Sequence, residues 1–257
     1  YEPQLSREQI RRRYVELTED FARLPFDEAA DKTRTLARRY YSCYPLLLQL
    51  VVLYWNHFML AETKEGQKEI LMEASAWCDH ILDHCGDVGV CSDALGLKAG
   101  LSLQMGRAAE AVSLLEPAAE SGRLGAQGQR GALLVQAYRM MGETDKARSY
   151  IQGKQYLDLL NLVSDAILSL SLYENEIERC EVTIGRIQGV MNEYSLERLH
   201  PNLAAQFYFQ SSLVYAQNRK WKEAVSALLC FEKCVDQLLH AKRVCLHGDE
   251  YFDLLDE

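Results

Sequence analysis

The segment CDHILDHCGDVGVC combines thiol and imidazole side chains in spacings that could support metal chemistry. His80 and His84 are four residues apart, so on a helix they share one face, an arrangement that can bind zinc. Cys78 and Cys85 are seven residues apart on another face, and Cys91 follows a turn. A mixed site would require the cysteines to reach across from that other face. The segment therefore favours core cysteines and solvated histidines near a helix C-terminus, where the helix dipole stabilises His.

No other pattern points to catalysis. The chain has no G-x-S-x-G elbow, no H-E-x-x-H motif and no Gly-rich phosphate loop after a strand. Cys230 and Cys234 lie one helical turn apart and are predicted to be core residues rather than a redox pair. We therefore predict that the chain is not an enzyme and uses no metal or cofactor. The enzyme alternative would depend on a metal ion in the region of Cys78 to Cys91.

The overall composition argues against a nucleic-acid-binding surface. The 257 residues are 48% hydrophobic and 25% charged, which is typical of a globular protein with an ample core. The formal net charge is −9, whereas DNA-binding surfaces depend on a basic excess. Eight cysteines, most of them among apolar neighbours, and the lack of a signal-peptide pattern predict a reducing cytoplasm.

The stretch YYSCYPLLLQLVVLYWNHFMLA contains no Asp, Glu, Lys or Arg. Pro45 suits the first turn of a helix, so the predicted helix is Pro45–Ala61, shorter than the roughly 20 residues that cross a bilayer. Gln49, Asn56 and His57 would also be costly in lipid. The stretch is therefore predicted to be a buried helix with no membrane partner, and Asn56 and His57 are expected to satisfy a neighbouring turn rather than face a groove.

Helical periodicity extends through the whole chain, and no alternating β-branched run suggests a strand. Ser6 and Gln9 have the spacing of a capping box. The pattern predicts an all-α fold of about 12 helices. The predicted helices are Ser6–Arg23, Asp27–Tyr41, Pro45–Ala61, Gly66–Cys85, Cys91–Met105, Arg107–Ala119, Ala126–Met141, Thr144–Gln152, Tyr156–Tyr173, Glu176–Met191, Pro201–Gln217 and Lys220–His240.

One motif recurs in LQMGRAAEAVSLL, YRMMGETDKARSYI, SLYENEIERCEVTI and YAQNRKWKEAVSALL. Each copy has a helix end, a tight polar turn, and then a small residue near the start of the next helix. These small residues are Ala111, Ala147, Cys180 and Ala224, separated by 36, 33 and 44 residues. The separations scatter about the tetratricopeptide period of about 34 residues. A small side chain at this position lets two helices cross closely.

These copies resemble the tetratricopeptide repeat family. In ALLVQAYRMMGETDKARSYI, Ala137, Tyr138, Gly142 and Ala147 fall on signature positions of that family. The resemblance covers Cys91–His240 in four degenerate copies. The signature Trp is missing from every first helix, and no Pro closes the copies, so the binding specificity of a subclass does not transfer.

The resemblance implies a right-handed α-solenoid of antiparallel helix hairpins. The predicted organisation is one helical-repeat domain over residues 1–257. Within it, 1–90 form divergent N-terminal hairpins, 91–240 the four repeats, and 241–257 the start of a C-terminal helix or tail.

In a helical-repeat array the default binding surface is the concave groove lined by the first helix of each hairpin. The tetratricopeptide register directs a cation, two carboxylates, amides and an aromatic ring toward that groove. This mixture suits an extended peptide, whose backbone amides need partners along its length. The predicted groove residues are Asp93, Gln136, Arg139, Asp165, Ser169, Gln206 and Phe209.

Three segments carry a second resemblance: LPFDEAADKTRTLARRYYSCYPLLLQLVVLYWNHFML, AWCDHILDHCGDVGVCSDAL and LERLHPNLAAQFYFQSSLVYA. Together they look like the C-terminal regulatory region of bacterial helix-turn-helix regulators of the xenobiotic-response-element class. In that class a DNA-binding domain precedes the helical repeats. The chain is therefore expected to be a piece of a longer protein, with its DNA-binding domain upstream.

The second resemblance implies a function. Related pheromone-sensing regulators bind short peptides in the repeat groove and dimerise. We therefore expect a cytoplasmic sensing and dimerisation domain of a transcription regulator, with a peptide or small-molecule effector in the groove. A homodimer is expected, and DNA contact only through the absent domain. The alternative is a free-standing tetratricopeptide adaptor that holds a protein partner.

Overall fold

The computed structural model describes residues 4–120, 128–240 and 251–255. Within these ranges it contains twelve α-helices and no strand, which confirms the all-α prediction. The helices are α1 (Arg7–Arg23), α2 (Phe26–Arg39), α3 (Tyr44–His57), α4 (Lys64–His84), α5 (Val88–Gln104), α6 (Ala108–Glu120), α7 (Gly128–Met140), α8 (Thr144–Leu172), α9 (Ile177–Glu193), α10 (Leu196–Leu199), α11 (Pro201–Gln217) and α12 (Trp221–His240). A short 3-10 helix, Phe58–Leu60, follows α3.

The helix count matches the prediction, but two elements differ. The sequence predicts a break between Gln152 and Tyr156, whereas α8 is one helix of 29 residues. The short helix α10, Leu196–Leu199, is not predicted, because a single turn carries too little periodicity to be recognised. Other boundaries agree to within four residues, and the predicted start at Ala126 lies outside the described residues.

The C-terminal segment 251–255 explains why α8 does not break. The Gln152 side chain donates to Asp253 Oδ1 at 2.7 Å and accepts from the Leu254 backbone N–H at 2.9 Å. Phe252, 1% exposed, is buried in the core that α8 helps to form. Gly153 costs roughly 1 kcal/mol in a helix interior relative to Ala, and these tertiary contacts offset that cost.

The predicted capping box is confirmed at the start of α1. Ser6 Oγ accepts from the Gln9 backbone N–H at 3.3 Å, and Gln9 Oε1 accepts from the Ser6 backbone N–H at 2.8 Å. Two N–H groups that the helix itself leaves unpaired are thereby satisfied.

The chain divides into two compact units, residues 1–147 and 148–257. In the first unit α3 is central: α1, α2, α4 and α5 all contact it. Helix α4 also contacts α5, and α6 lies against both α5 and α7. The core of this unit includes Leu46, Leu50, Tyr54, Ile70 and Trp77.

The second unit has its own core, formed by α8, α9, α10 and α11 with part of α12. Val163, Ile184, Phe207 and Cys234 are buried there. Helices α11 and α12 form an antiparallel hairpin joined by a short turn. The prediction of one continuous repeat domain over residues 1–257 stays a prediction.

Helix α3 is the charge-free helix, and its burial confirms the sequence interpretation. Its buried residues are Leu46, Leu47, Leu48, Leu50, Val51, Leu53 and Tyr54. The Tyr54 hydroxyl donates to the Ala30 carbonyl at 3.2 Å, so the one polar group in this set is paired. None of the described helices has the length and apolarity that crossing a bilayer requires.

Candidate functional site

A cavity of about 730 Å³ opens between α3, α5 and α7 in the first unit. Ligand sites in proteins typically fall between about 300 and 1,000 Å³ and combine apolar walls with a few polar groups. This cavity has that composition. Its lining residues are Leu48, Gln49, Val52, Trp55, Asn56, Asp93, Gly96, Leu97, Arg130, Ala132 and Leu133.

Helical spacing brings these side chains to one surface. On α3, Leu48, Val52 and Trp55 recur at steps of four and three, so they project from one face. On α5, Asp93 and Leu97 are four residues apart and project from one face in the same way. Helix α5 contacts both α3 and α7, so the faces of three alternate helices meet around one space.

Gly100 determines where the Trp55 ring lies. A Cβ atom added at Gly100 would be 1.9 Å from Trp55 Cη2, far closer than two carbon atoms can approach. The indole of α3 therefore lies against bare backbone of α5. Any larger residue at position 100 would displace this ring, which forms part of the cavity wall.

Arg130 is the buried cation of the cavity, with 7% of its surface exposed. Its Nη2 group donates to the carbonyl oxygen of Ser92 and to Ser92 Oγ. Gly96 makes room for this side chain, because a Cβ added there would lie 3.2 Å from Arg130 Nε. These contacts hold the start of α7 against α5.

Asp93 also lines the cavity, but it is exposed to solvent. Burial lowers the pKa of the Arg130 guanidinium, and the negative charge of Asp93 offsets part of that effect. Within the part of the chain that the structure describes, no carboxylate forms an ion pair with Arg130. The cavity thus contains a buried positive charge that is only weakly compensated.

Two further polar residues of α3 were singled out in the sequence, and only one faces away from the cavity. Asn56 lines the cavity and donates to the Tyr14 hydroxyl at 3.3 Å, so the expectation that it avoids a groove is wrong. The His57 Nδ1 atom lies 2.8 Å from the Leu53 carbonyl of its own helix, and its ring stacks on Phe21. His57 is therefore a packing residue.

Among the predicted groove residues, only Asp93 lines the cavity. Gln136 and Arg139 lie further along α7, exposed and outside it. In the second unit, Asp165 is exposed and Ser169 half-buried, both on α8. The last two residues of the set lie on α11.

On α11, Gln206 and Phe209 are both exposed. The Phe209 ring lies 5.5 Å from the ring of Phe231 on α12. This surface belongs to the second unit and is separate from the lining of the cavity.

The sequence analysis did not predict the two residues that give the cavity its positive charge and its aromatic wall, Arg130 and Trp55. Trp55 lies in an apolar run that indicates only core packing, and Arg130 follows a glycine-rich segment with no distinct pattern. A usable signal was nevertheless present in α5. Gly96 and Gly100 are four residues apart in a helix interior, which often marks the close approach of a large side chain.

The Cys and His residues of α4 contribute to packing instead of forming a cluster. His80 stacks on Tyr41 with ring centroids 3.8 Å apart, and its ring also contacts that of His84. Burial raises the pKa of the Cys78 thiol to about 12, as expected for a core cysteine. Over the residues that the structure describes, no three His, Cys, Asp or Glu side chains are grouped so that they could hold a metal ion.

Comparisons of this chain with protein-family models, with curated proteins and with solved structures give no match. Function is therefore inferred from the geometry of the cavity and from the repeated local structure.

Proposed function

We propose that this chain is the sensing and dimerisation part of a DNA-binding transcription regulator, and that a peptide or small-molecule effector occupies the cavity between α3, α5 and α7. The cavity is the observation that carries the proposal, because its volume, apolar walls and few polar groups suit an organic ligand. The net charge of −9 disfavours direct nucleic-acid binding by these helices. Seven free thiols within the described residues support a cytoplasmic location.

A right-handed solenoid of tetratricopeptide-like hairpins is part of the proposal, and repeated turns support it. Gly106, Gly142 and Arg219 each have a positive φ, and the same pattern of two backbone hydrogen bonds surrounds each of them. The positive-φ residue donates its N–H to the carbonyl three positions earlier, and the next residue donates to the carbonyl five positions before itself. This pattern is a Schellman motif. Three of the four predicted copies therefore share one local geometry.

The small residues of the four copies give independent support. Ala111, Ala147, Cys180 and Ala224 are each the fourth residue of their helix, and all four are buried. A small buried residue in the first turn suits a close crossing with the preceding helix. This recurrence favours repeated hairpins over an irregular helical assembly.

The position of the cavity suggests how a ligand could act. It is lined by alternate helices, each the first helix of a predicted hairpin. A ligand that contacts all three helices stabilises one relative arrangement of the hairpins over others, by as much as its affinities for them differ. In a dimeric regulator, such a change alters the spacing of the two DNA-binding domains, and half-site recognition depends on that spacing.

Helix α12 offers a surface for the second copy. Trp221, Val225 and Leu229 are 64%, 56% and 60% exposed and lie on one face. If two copies of α12 pair antiparallel about Leu229, Lys222 of one copy lies beside Asp236 of the other, because each is seven residues from Leu229. In this register Leu229 meets Leu229 of the other copy, a Lys222–Asp236 pair lies on either side of that contact, and a second copy is the occupant that we propose.

The experiment uses the full-length gene product. Selection from random duplexes should yield a bound DNA sequence. Adding the low-molecular-mass fraction of the producing cells should change the DNA affinity about tenfold, a typical allosteric coupling. The variant Ala132→Trp should lose this response because the new indole fills the cavity, and Met72→Trp on the exposed surface of α4 should keep it.

Failure to select any DNA would overturn the regulator proposal and favour the adaptor, for which a protein partner would then be sought. DNA binding that responds equally in the wild type and in Ala132→Trp would remove the cavity from the mechanism.

A further inference from the structure

Arg130 has more hydrogen-bonding capacity than the protein uses. A guanidinium carries five N–H donors on three nitrogens. Only Nη2 donates to acceptors in the described residues, and both acceptors belong to Ser92. Within the described residues the Nε and Nη1 donors have no protein acceptor, and neither is sealed from solvent, so both are open to a ligand in the cavity that Arg130 lines.

A largely buried cation with unused donors favours an anionic partner. A counter-charge and further hydrogen bonds offset the cost of removing a charged group from bulk water. Asp93 supplies charge nearby, but it is exposed, so solvent weakens its effect, and it forms no ion pair with Arg130. An anionic acceptor inside the cavity would satisfy the unpaired donors and compensate the charge together.

We propose that the effector carries a carboxylate that Arg130 binds. The guanidinium geometry suits two parallel N–H···O bonds to a carboxylate. Leu48, Val52, Leu97 and Leu133 surround an apolar body, and the Trp55 ring closes one side. This inference rests on the proposed function, since it names the chemical class of the ligand in the same cavity.

The amides of the cavity suit the rest of such a ligand. Gln49 and Asn56 project from α3, and each offers both a donor and an acceptor. They could bind peptide groups next to a C-terminal carboxylate, or water around a simple organic acid. A short apolar peptide and a free carboxylic acid therefore share the chemistry that Arg130 selects.

Two sets of probes distinguish these sources. The first is a random tetrapeptide library with free C-termini, together with the same library amidated. The second is a series of medium-chain and phenylalkyl carboxylic acids with the corresponding primary amides. Each is incubated with the 257-residue chain, and mass spectrometry identifies the retained molecules.

We expect acids to be retained in at least one set, and their amides about tenfold more weakly, because a neutral amide has no negative charge to pair with the guanidinium and cannot accept two parallel N–H···O bonds as a carboxylate does. Arg130→Gln should lose this preference. Asp93→Asn should bind the acids more tightly, because a negative charge near the carboxylate is removed. Because the two variants should change acid binding in opposite directions, misfolding cannot explain both results. Asp93 is exposed, so the fold should tolerate its substitution.

Equal retention of acids and amides, or an unchanged preference in Arg130→Gln, would overturn the carboxylate inference while leaving the cavity as a ligand site. Retention of neither class would also overturn it. In that case the DNA-binding response of the full-length product decides the proposed function separately.

Discussion

Glu197 shows how single side chains connect helices of the second unit. The Tyr208 hydroxyl of α11 donates to Glu197 Oε1 at 2.6 Å, and the Lys233 ammonium of α12 lies 3.0 Å from Oε2. Burial alone would raise the pKa of Glu197, but these two partners outweigh it, so the pKa is lowered from its ordinary value of 4.5. The ionised form of Glu197 is therefore favoured in the folded protein.

This lowered pKa predicts how stability depends on pH. A carboxyl group with a folded-state pKa below its unfolded value contributes stability above the unfolded pKa, and that contribution is lost as the pH falls through the folded pKa. Glu197→Gln should therefore cost roughly 1–2 kcal/mol at pH 7, as expected for a hydrogen-bonded charged group. The difference from the wild type should shrink as the pH falls below about 4.5.

Urea unfolding at several pH values measures this difference. Glu69→Gln, at an exposed position on α4, is the control and should change stability little at any pH. A Glu197→Gln penalty that stays constant down to pH 3 would contradict this description of the ion pair.

At the residue scale, one of the predicted groove residues, Asp93, lines the cavity, and its binding role stays a prediction. Asn56 was placed on the correct helix but assigned to the wrong environment. Arg130 and Trp55 could not be identified from type and spacing alone. Their importance arises from burial and from the neighbouring Gly96 and Gly100, which only the packed structure brings beside them.

At the scale of elements, two glycines in helix interiors differ in the space available for a side chain. Gly100 faces the Trp55 ring with no room for a methyl group. A Cβ added at Gly153 of α8 would have only Leu255 Cδ2 nearby, at 4.0 Å. Alanine is favoured over glycine in a helix by roughly 1 kcal/mol, so local packing decides the outcome at each position.

We expect Gly100→Ala to destabilise the protein by about 1–3 kcal/mol, the usual cost of overpacking. It should also shift the emission of Trp55. Gly153→Ala should instead stabilise the protein by up to roughly 1 kcal/mol. Thermal or urea unfolding of the two variants measures both effects. A destabilising Gly153→Ala would indicate a turn at this position and would restore the break that the sequence predicts.

Helix boundaries were largely predictable because amphipathic periodicity and caps are local properties. The continuity of α8 was not, since Gly153 with its polar neighbours resembles a turn in the sequence. Its helical state depends on hydrogen bonds from Gln152 to a segment about one hundred residues away. Local patterns contain no trace of such contacts.

At the scale of the whole molecule, the proposed dimer rests on the Lys222–Asp236 pairs on either side of the contact between the two Leu229 side chains of α12. Lys222→Asp should weaken dimerisation because it opposes Asp236 of the other copy, and Asp236→Lys should do the same against Lys222. The double variant should recover most of the affinity, since both contacts are re-formed with exchanged signs. Sedimentation equilibrium measures each dissociation constant, with an expected loss of about three- to tenfold for each single variant.

Leu229→Arg should abolish the dimer by burying charge at the centre of the proposed interface. A wild-type chain that remains monomeric at high concentration would exclude this interface. A double charge variant no better than the single ones would exclude the antiparallel register.

The all-α class was accessible from sequence because helical periodicity is local, and the recurring turns were accessible because each predicted copy has a polar turn followed by a small residue. The division into residues 1–147 and 148–257 was not, because contact density between distant helices leaves no local signature. The cavity could not be predicted from the sequence either. Its lining comes from three helices, and no single one of them has the pattern of a binding motif.

The most direct test of the central claim is the recovery of a ligand from the protein itself. Chain produced in its native cells is purified, denatured and analysed by mass spectrometry beside the Ala132→Trp and Met72→Trp variants. If an effector occupies the cavity, one organic molecule should co-purify with the wild type and with Met72→Trp but not with Ala132→Trp. The same molecule recovered at equal yield from all three proteins would contradict the assignment of the cavity between α3, α5 and α7 as the effector site.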